Sequence, residues 1–507
     1  MRKLESVILS LTKQEVRNFK IYANRIKTNN RQKKILTLFD AYKSEKYKSD
    51  EVLLETEFPK LKKNAFYRLR NRLLDEIDQS LLMLYNDMDD KIIVMRSIIM
   101  AKISNHKNDY KSAYFLLLEA EKKAYKSEFF DLLNVIYNEI ISLSAYSAEI
   151  DPRIYIKKIG DVEREYATLK ELNRFIAEIA YELRSKNYEG DSDTIQTLRN
   201  INDRLSTSVV VNNSFQAKLK VYSCIRDILY QEKKITQLKE YLITTYNNFE
   251  TNNLWTKNYH VEKIILIIWT NNIALKAKDF STARSYVEKL WVELNKYNKL
   301  YFEKYKWFYY QSLFIDSYLS DKIDEGIQIL EDCRLAYLQE EKELVFKDVP
   351  IQTIIIFQLN LTVAYFSKKE FDKALDQIKV FFYNDVYKKL NPQLKLFIFI
   401  VDIIVYFERG DEEYVLFRIK EVKRSLRNIL SKDTYNREKE FLFLLGKLIT
   451  VTNPTKSKTL VERIEKFIKE SPEFEPGAKE YIDYRVFLEA KINNESYYEA
   501  IKRYVGS

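Results

Sequence analysis

Glycine, histidine and cysteine are scarce in this 507-residue chain, at seven, two and two residues respectively. The glycines stand at 160, 190, 326, 410, 446, 477 and 506 and are never closer together than 29 residues. A Walker phosphate loop, a dinucleotide-binding fingerprint, a kinase glycine loop and a strand-to-helix nucleophile elbow each need clustered glycines, so all four are excluded. Cys224 and Cys333 lie 109 residues apart and form neither zinc nor redox spacing. Two cysteines build no disulfide framework, which fits a reducing compartment. Two histidines are too few for a histidine-based metal centre. No metal and no cofactor is expected.

Long hydrophobic runs are missing as well. The most lipid-like stretch, Leu396–Phe407, has 12 residues with Asp402 in its middle, whereas a spanning helix needs about 20 apolar residues. Val7–Leu11 is a short apolar stretch broken by Ser10, with Lys13 close behind; that pattern does not read as a secretory leader. The expectation is a soluble, cytoplasmic protein. What the chain does have is 46% apolar residues, enough to bury a continuous core. Its length suits several globular units or one long repeat array.

Apolar residues recur at three- and four-residue spacing almost everywhere, so the chain reads as all-α. Asp151-Pro152, Asn391-Pro392, Asn453-Pro454 and Ser471-Pro472 each place a capping side chain before a proline. That order opens a helix: the side chain accepts an orphan amide, and proline has no amide to leave unpaired. Thr12 and Glu15 read as a capping box.

A repeat runs through this pattern. Its clearest copy is Ala364–Ile378, in which a helix ends, a few polar residues turn the chain, and Phe371 is followed three residues later by Ala374. The same grammar stands at Asp109–Ala113, Asp279–Ala283, Asp321–Gly326 and Ser496–Ala500, and in degraded form at Ile235–Leu238 and Glu412–Val415. Small or apolar markers at 113, 238, 283, 326, 374, 415 and 500 give a period of 41–48 residues. Unseen copies are expected near 155, 197 and 458. A small residue at the marker lets paired helices approach closely.

These copies resemble tetratricopeptide-repeat proteins, patchily over 91–507. They depart from that family in two respects: the period exceeds its 34 residues, and its glycine and tyrosine signature in the first helix is absent. Helices of about 17–20 residues would supply the excess length. The resemblance implies an α-solenoid of antiparallel helix pairs whose concave face holds a protein or peptide.

Residues 1–90 fall outside this grammar and read as helices near 13–27, 31–44, 50–57 and 61–86. Residues 1–70 carry 18 lysines and arginines against 8 acids. The whole chain is also +10, so the remainder is neutral. The expected organisation is therefore a basic N-terminal helical module, 1–90, followed by a repeat array, 91–507. Val16, Phe19, Tyr22, Ala23 and Ile26 form one stripe, while Lys13, Arg17, Lys20 and Lys27 project near the opposite side. Lys63 and Arg70 share one flank of the last helix. These six are the candidates for contacting phosphates, anionic lipid or an acidic protein.

All four tryptophans (255, 269, 291 and 307) fall within 53 residues. Tyr301–Tyr310 carries seven aromatics around the full helix, with Tyr301, Tyr305, Trp307 and Tyr309 among them. That arrangement fits either an inner helix buried on both sides or an aromatic partner groove. Asp402 is expected to pair with Lys395 or Arg409, or to face a groove, because an unpaired carboxylate is costly to bury. No constellation for acid–base or nucleophilic catalysis accompanies it, and an enzyme is not expected. The leading expectation is a scaffold, adaptor or regulator that binds a protein or peptide. A nucleic-acid- or ribosome-associated factor and peripheral membrane association, both through residues 1–90, remain open alternatives.

Overall fold

The computed structural model describes residues 3–25, 30–44, 46–47, 49–86, 89–185, 196, 200, 214–232, 234–338, 351–383, 390, 392–431, 435–471 and 482–506. Among these residues there are 24 α-helices and no strand. The chain forms two compact units, Met1–Glu232 with Leu254–His260, and Lys233–Asn253 with Val261–Ser507. The division expected at residue 90 is a different one.

The first unit contains α1 (Lys3–Ser10), α2 (Lys13–Arg25), α3 (Asn30–Lys43), α4 (Asp50–Glu57) and α5 (Lys63–Tyr85). It continues with α6 (Asp90–His106), α7 (Tyr110–Lys126), α8 (Phe130–Ser144), α9 (Pro152–Ser185) and α10 (Phe215–Gln231). Helices α1–α5 share a core that includes Ile8, Phe19, Leu38, Phe39, Phe66 and Leu73. Helix α1 is an addition to the sequence reading: its Leu4 and Ile8 are buried, and Lys43 donates to the carbonyls of Ile8 and Leu11 at 3.0 and 2.9 Å. The capping box forms as expected, with the Thr12 amide donating to Glu15 at 2.7 Å and the Glu15 amide to Thr12 Oγ1 at 3.3 Å.

The second unit holds α11 (Ile235–Thr251), α12 (His260–Lys276), α13 (Phe280–Leu294), α14 (Phe302–Leu319), α15 (Ile323–Leu338), α16 (Ile351–Ser367) and α17 (Phe371–Tyr383). It ends with α18 (Pro392–Arg409), α19 (Glu412–Ser425), α20 (Arg427–Leu430), α21 (Asn436–Thr450), α22 (Lys458–Glu470), α23 (Tyr484–Asn493) and α24 (Tyr497–Gly506). From α6 onward helices pack mainly on their sequence neighbours, pair by pair, whereas α2 and α3 pack on α5 and α1 packs on α3.

The repeat grammar has a backbone cause. Asn108, Lys278, Asp321, Lys369 and Gly410 are left-handed, with φ of 61, 57, 63, 63 and 89°. In each case the next amide bonds to the carbonyl five residues back: Asp109 to Ser104, Asp279 to Ala274, Lys322 to Ser317, Glu370 to Tyr365 and Asp411 to Tyr406, at 2.8–3.1 Å. This is a Schellman stop, which satisfies the orphan carbonyls of one helix and turns the chain into the next. The markers Ala113, Ala283, Gly326, Ala374 and Val415 stand five residues past the left-handed residue, and all are buried. A Cβ on Gly326 would meet Phe314 Cδ2 at 3.2 Å, so this marker marks a close helix approach.

Not every expected start takes the expected form. Pro152 and Pro392 do open helices, and Asp151 accepts the Arg153 amide at 2.9 Å. Near residue 155, however, a single 34-residue helix, α9, stands in place of a short helix pair. Pro454 opens only a 3-10 turn, Pro454–Lys456, because Asn453 before it is left-handed; α22 follows at Lys458. The copy expected near 197 and the start at Pro472 lie outside the described residues.

Candidate functional site

Of the six candidate cations of the N-terminal helices, Arg17, Lys20, Lys63 and Arg70 have described side chains. Lys27 and the side chain of Lys13 lie outside the described residues. Arg70 is held by Asp50 at 2.6 Å, and Asp50 also accepts the Tyr42 hydroxyl at 2.6 Å. This is a partly buried structural network, so Arg70 is committed. Lys20 pairs with Asp40 of α3 at 2.8 Å, an acid that a wheel of α2 alone does not reveal. Arg17 and Lys63 are exposed.

The aromatic stretch divides by helix face. Tyr305 and Trp307 are buried, Trp307 to 6% exposure. The Trp307 ring meets Phe357 edge-on at 5.8 Å, and its neighbours in the core include Phe314, Leu330 and Ile355. A cavity of about 40 Å³ lies beside it, lined in part by Phe308, Gln311 and Asn360. Tyr301 and Tyr309 are half-buried.

Asp402 is a separate matter. It is 3% exposed on α18 and pairs at 3.0 Å with Arg418 of α19, instead of with Lys395 or Arg409. Arg409 bridges Asp372 and Asp411. Helix-local spacing cannot reveal a partner on the next helix, and here that partner comes from across the α18–α19 turn. The Arg418 guanidinium lies over Phe382, Phe399 and Tyr414 at 4.7, 5.2 and 5.2 Å and also bonds Glu421 at 2.8 Å. Burial pushes the Asp402 carboxyl up to about 7, although Arg418 draws it down.

The structure exposes a different tryptophan. On α13, Ala283, Tyr286, Val287, Leu290 and Leu294 form the buried stripe. Trp291 falls beside that stripe and is 39% exposed; Val292 is 57% exposed. Tyr309 covers one side of the Trp291 ring at 4.7 Å and 32°, and Phe302 meets it edge-on at 5.8 Å. The linking turn exposes Tyr297 and Leu300.

That turn is strained. Tyr297, Asn298 and Lys299 are three consecutive non-glycine residues with φ of 50, 57 and 60°, a conformation that costs L-residues roughly 1–2 kcal/mol each. It is held by the Lys299 amide on the Lys296 carbonyl at 3.0 Å and by the Asn295 side-chain amide on the Trp291 carbonyl at 2.8 Å. Strain of this kind persists where surrounding bonds over-determine it, and it concentrates at functional sites.

Charges of both signs border the patch: residues 288–309 hold five lysines and three glutamates, of which Glu293 and Glu303 are engaged while Glu288, one turn before Trp291, is exposed. Glu293 accepts Lys263 and Lys296, each at 2.9 Å; burial alone would raise its carboxyl, but these bonds hold it below the ordinary range. Glu303 pairs with Lys306 at 2.7 Å. Lys299 lies 5.3 Å over Phe302 and Lys304 5.1 Å over Tyr305, and neither has a carboxylate partner among the described residues. Lys289 rests on the rings of Tyr286 and Tyr246 at 4.0 and 4.7 Å, and burial lowers its pKa.

This arrangement suits binding. Among the described residues, no cluster of His, Cys, Asp and Glu is disposed to hold a metal ion, and no helix is long and apolar enough to cross a membrane. No family model, curated protein or solved structure matches the chain. The tetratricopeptide likeness therefore stays a resemblance, and the all-α architecture of neighbouring helix pairs stands on the fold itself.

Proposed function

We propose that the protein is a non-enzymatic, cytoplasmic scaffold or adaptor, a tetratricopeptide-like array of helix pairs that binds a protein partner through its helical surface. One observation carries this reading: a tryptophan, two aliphatic side chains and a tyrosine are left exposed over 291–300, at the end of α13 and on the strained turn after it, where Phe417 is the other exposed large apolar side chain among the described residues of that unit. Exposed aromatic anchors beside polar edges are what interaction hot spots are built from.

The test places a photoreactive phenylalanine analogue at 291 in the full-length chain, with position 115, an exposed phenylalanine of the first unit, as control. A discrete protein adduct at 291 that survives nuclease and is absent at 115 supports the reading. No adduct, or the same adducts at both positions, counts against it. A phosphate- or lipid-binding role for residues 1–90 draws less support, since Arg17 and Lys63 are the described candidates left without an ion pair.

A further inference from the structure

We infer that the chain pairs with a second copy of itself through the outer face of α6, antiparallel about Ile99. Helix α6 is apolar on two sides. Val94, Ile98 and Ala101 enter the core shared with α7 and α8. On the opposite side, Met95, Ile99, Met100 and Ile103 are 43, 57, 44 and 40% exposed among the described residues. Met95, Ile99 and Ile103 recur every four residues and so form one line along the helix, which half-buried Ile92 extends by a turn. A helix apolar all round is the pattern of one covered on both sides. Here one side is filled and the other is open.

The borders of this face call for no charged partner. The stretch 91–106 holds no acid. Lys91 and Lys102 flank the line on one side, and α8 neutralises both: Asp131 takes Lys91 and Glu139 takes Lys102, each at 2.8 Å. Val135 stands midway between those two acids on α8 and is itself exposed, so apolar surface continues across that border. Arg96 lies on the other flank and His106 at the C-terminal end of the line, both exposed.

Self-matching and area point to a second copy. Met95 and Ile103 lie four residues to either side of Ile99. In an antiparallel pair Ile99 therefore meets its own counterpart, and Met95 meets Ile103 of the second copy. The two Arg96 side chains then start about 9 Å apart along the helices, which avoids a direct clash of like charge. The five exposed side chains, Val135 included, present roughly 400 Å² of apolar surface. Two copies bury twice that. At the usual apolar share of about 60%, the whole interface comes to about 1,300 Å², inside the range of specific pairing. A foreign helix would have to supply the same spacing, whereas the second copy has it already, and two-fold contacts of this kind are the commonest closed assembly.

The experiment is sedimentation equilibrium of the full-length chain, with oxidative cross-linking by copper phenanthroline in air as the geometric readout. The parent is expected to be a dimer at micromolar concentration. Ile99→Asp should raise the dissociation constant at least a hundredfold, and Ile99→Ala, which suits a helix, about tenfold. Circular dichroism confirms that each variant folds. Because Cys224 and Cys333 are buried, an introduced cysteine reports its own surroundings. Ile99→Cys should form a disulfide-linked dimer. Met95→Cys and Ile103→Cys should cross-link when mixed but not singly, since each lies about 12 Å along the helix from its own counterpart.

A chain that stays monomeric at hundreds of micromolar, a dimer indifferent to Ile99→Asp, or Met95→Cys that cross-links alone as fast as in the mixture overturns the inference. So does a monomer in which the Ile99→Cys thiol resists a water-soluble maleimide, because the chain then covers the face itself. None of these results bears on photo-cross-linking at position 291, so the scaffold reading and this one fail separately.

Discussion

Trp291 and Trp307 stand 16 residues apart in the same aromatic-rich stretch, yet one ring is 39% and the other 6% exposed. Both touch other aromatics, and both have lysines nearby. The difference lies in the helix face. Trp307 points from α14 into a core shared with α15 and α16. Trp291 sits one position off the buried stripe of α13, where Tyr309 and Phe302 of α14 cover it only in part. Aromatic density therefore marks a well-filled core at one end and a bare surface at the other, and only the register separates them.

That contrast breaks most sharply under truncation of the buried ring. Trp307→Ala should cost about 3–5 kcal/mol, as large-to-small core changes do, read as an earlier urea transition of the second unit. A loss below about 1 kcal/mol would return Trp307 to the surface.

The same core contains Asp402, and pH sharpens the buried side of the comparison. Its carboxyl, raised from 3.8 to about 7, holds a proton in the folded chain over a range where the unfolded chain has released it. Its contribution is therefore full below about pH 4 and is lost as pH rises through about 7. Native stability should fall on the order of 2 kcal/mol between pH 5 and pH 8 through this group. Asp402→Asn, which leaves Arg418 its bond to Glu421, should show a flatter profile by urea unfolding. The groups facing Asp402 are Arg418, Glu421, Lys379 and Tyr414. An unchanged slope would place the titration elsewhere.

On the exposed side, Trp291→Ala should cost clearly less than Trp307→Ala, about 1–2 kcal/mol, because 39% of the residue is already in solvent while Tyr309 and Phe302 pack on the rest. A smaller effect probes the turns that set the register. Lys369 is left-handed at φ 63°, so Lys369→Gly should stabilise by about 0.5–1 kcal/mol. Destabilisation would mean that its side chain matters more than its backbone.

Much of this fold is readable from residues alone. The turns at Asp109, Asp279 and Glu370 announce themselves as a polar residue, an aromatic and then a small residue, because a Schellman stop and a close helix contact impose those types. The Thr12–Glu15 box is equally legible, being local. Helix α1 escapes because eight residues are too few for a convincing period, and α9 because nothing in its sequence stops a helix for 34 residues. Partners across helices escape for a different reason: Arg418 for Asp402, Asp50 for Arg70 and Asp40 for Lys20 depend on packing. The Trp291 surface was within reach. A tryptophan one step off the stripe 283, 286, 287, 290, 294, next to an off-stripe valine, signals an uncovered aromatic. Ring density alone, which singles out 301–309, does not separate the two faces.

The most direct test pairs thermal unfolding with site-specific cross-linking in the full-length Trp291→Ala chain, using a photoreactive residue at exposed Leu300 as the reporter. The account predicts a melting curve displaced far less than that of Trp307→Ala and loss of the protein adduct formed by the parent at Leu300. An adduct that persists at full yield, or a melting curve that collapses as it should for Trp307→Ala, would contradict it.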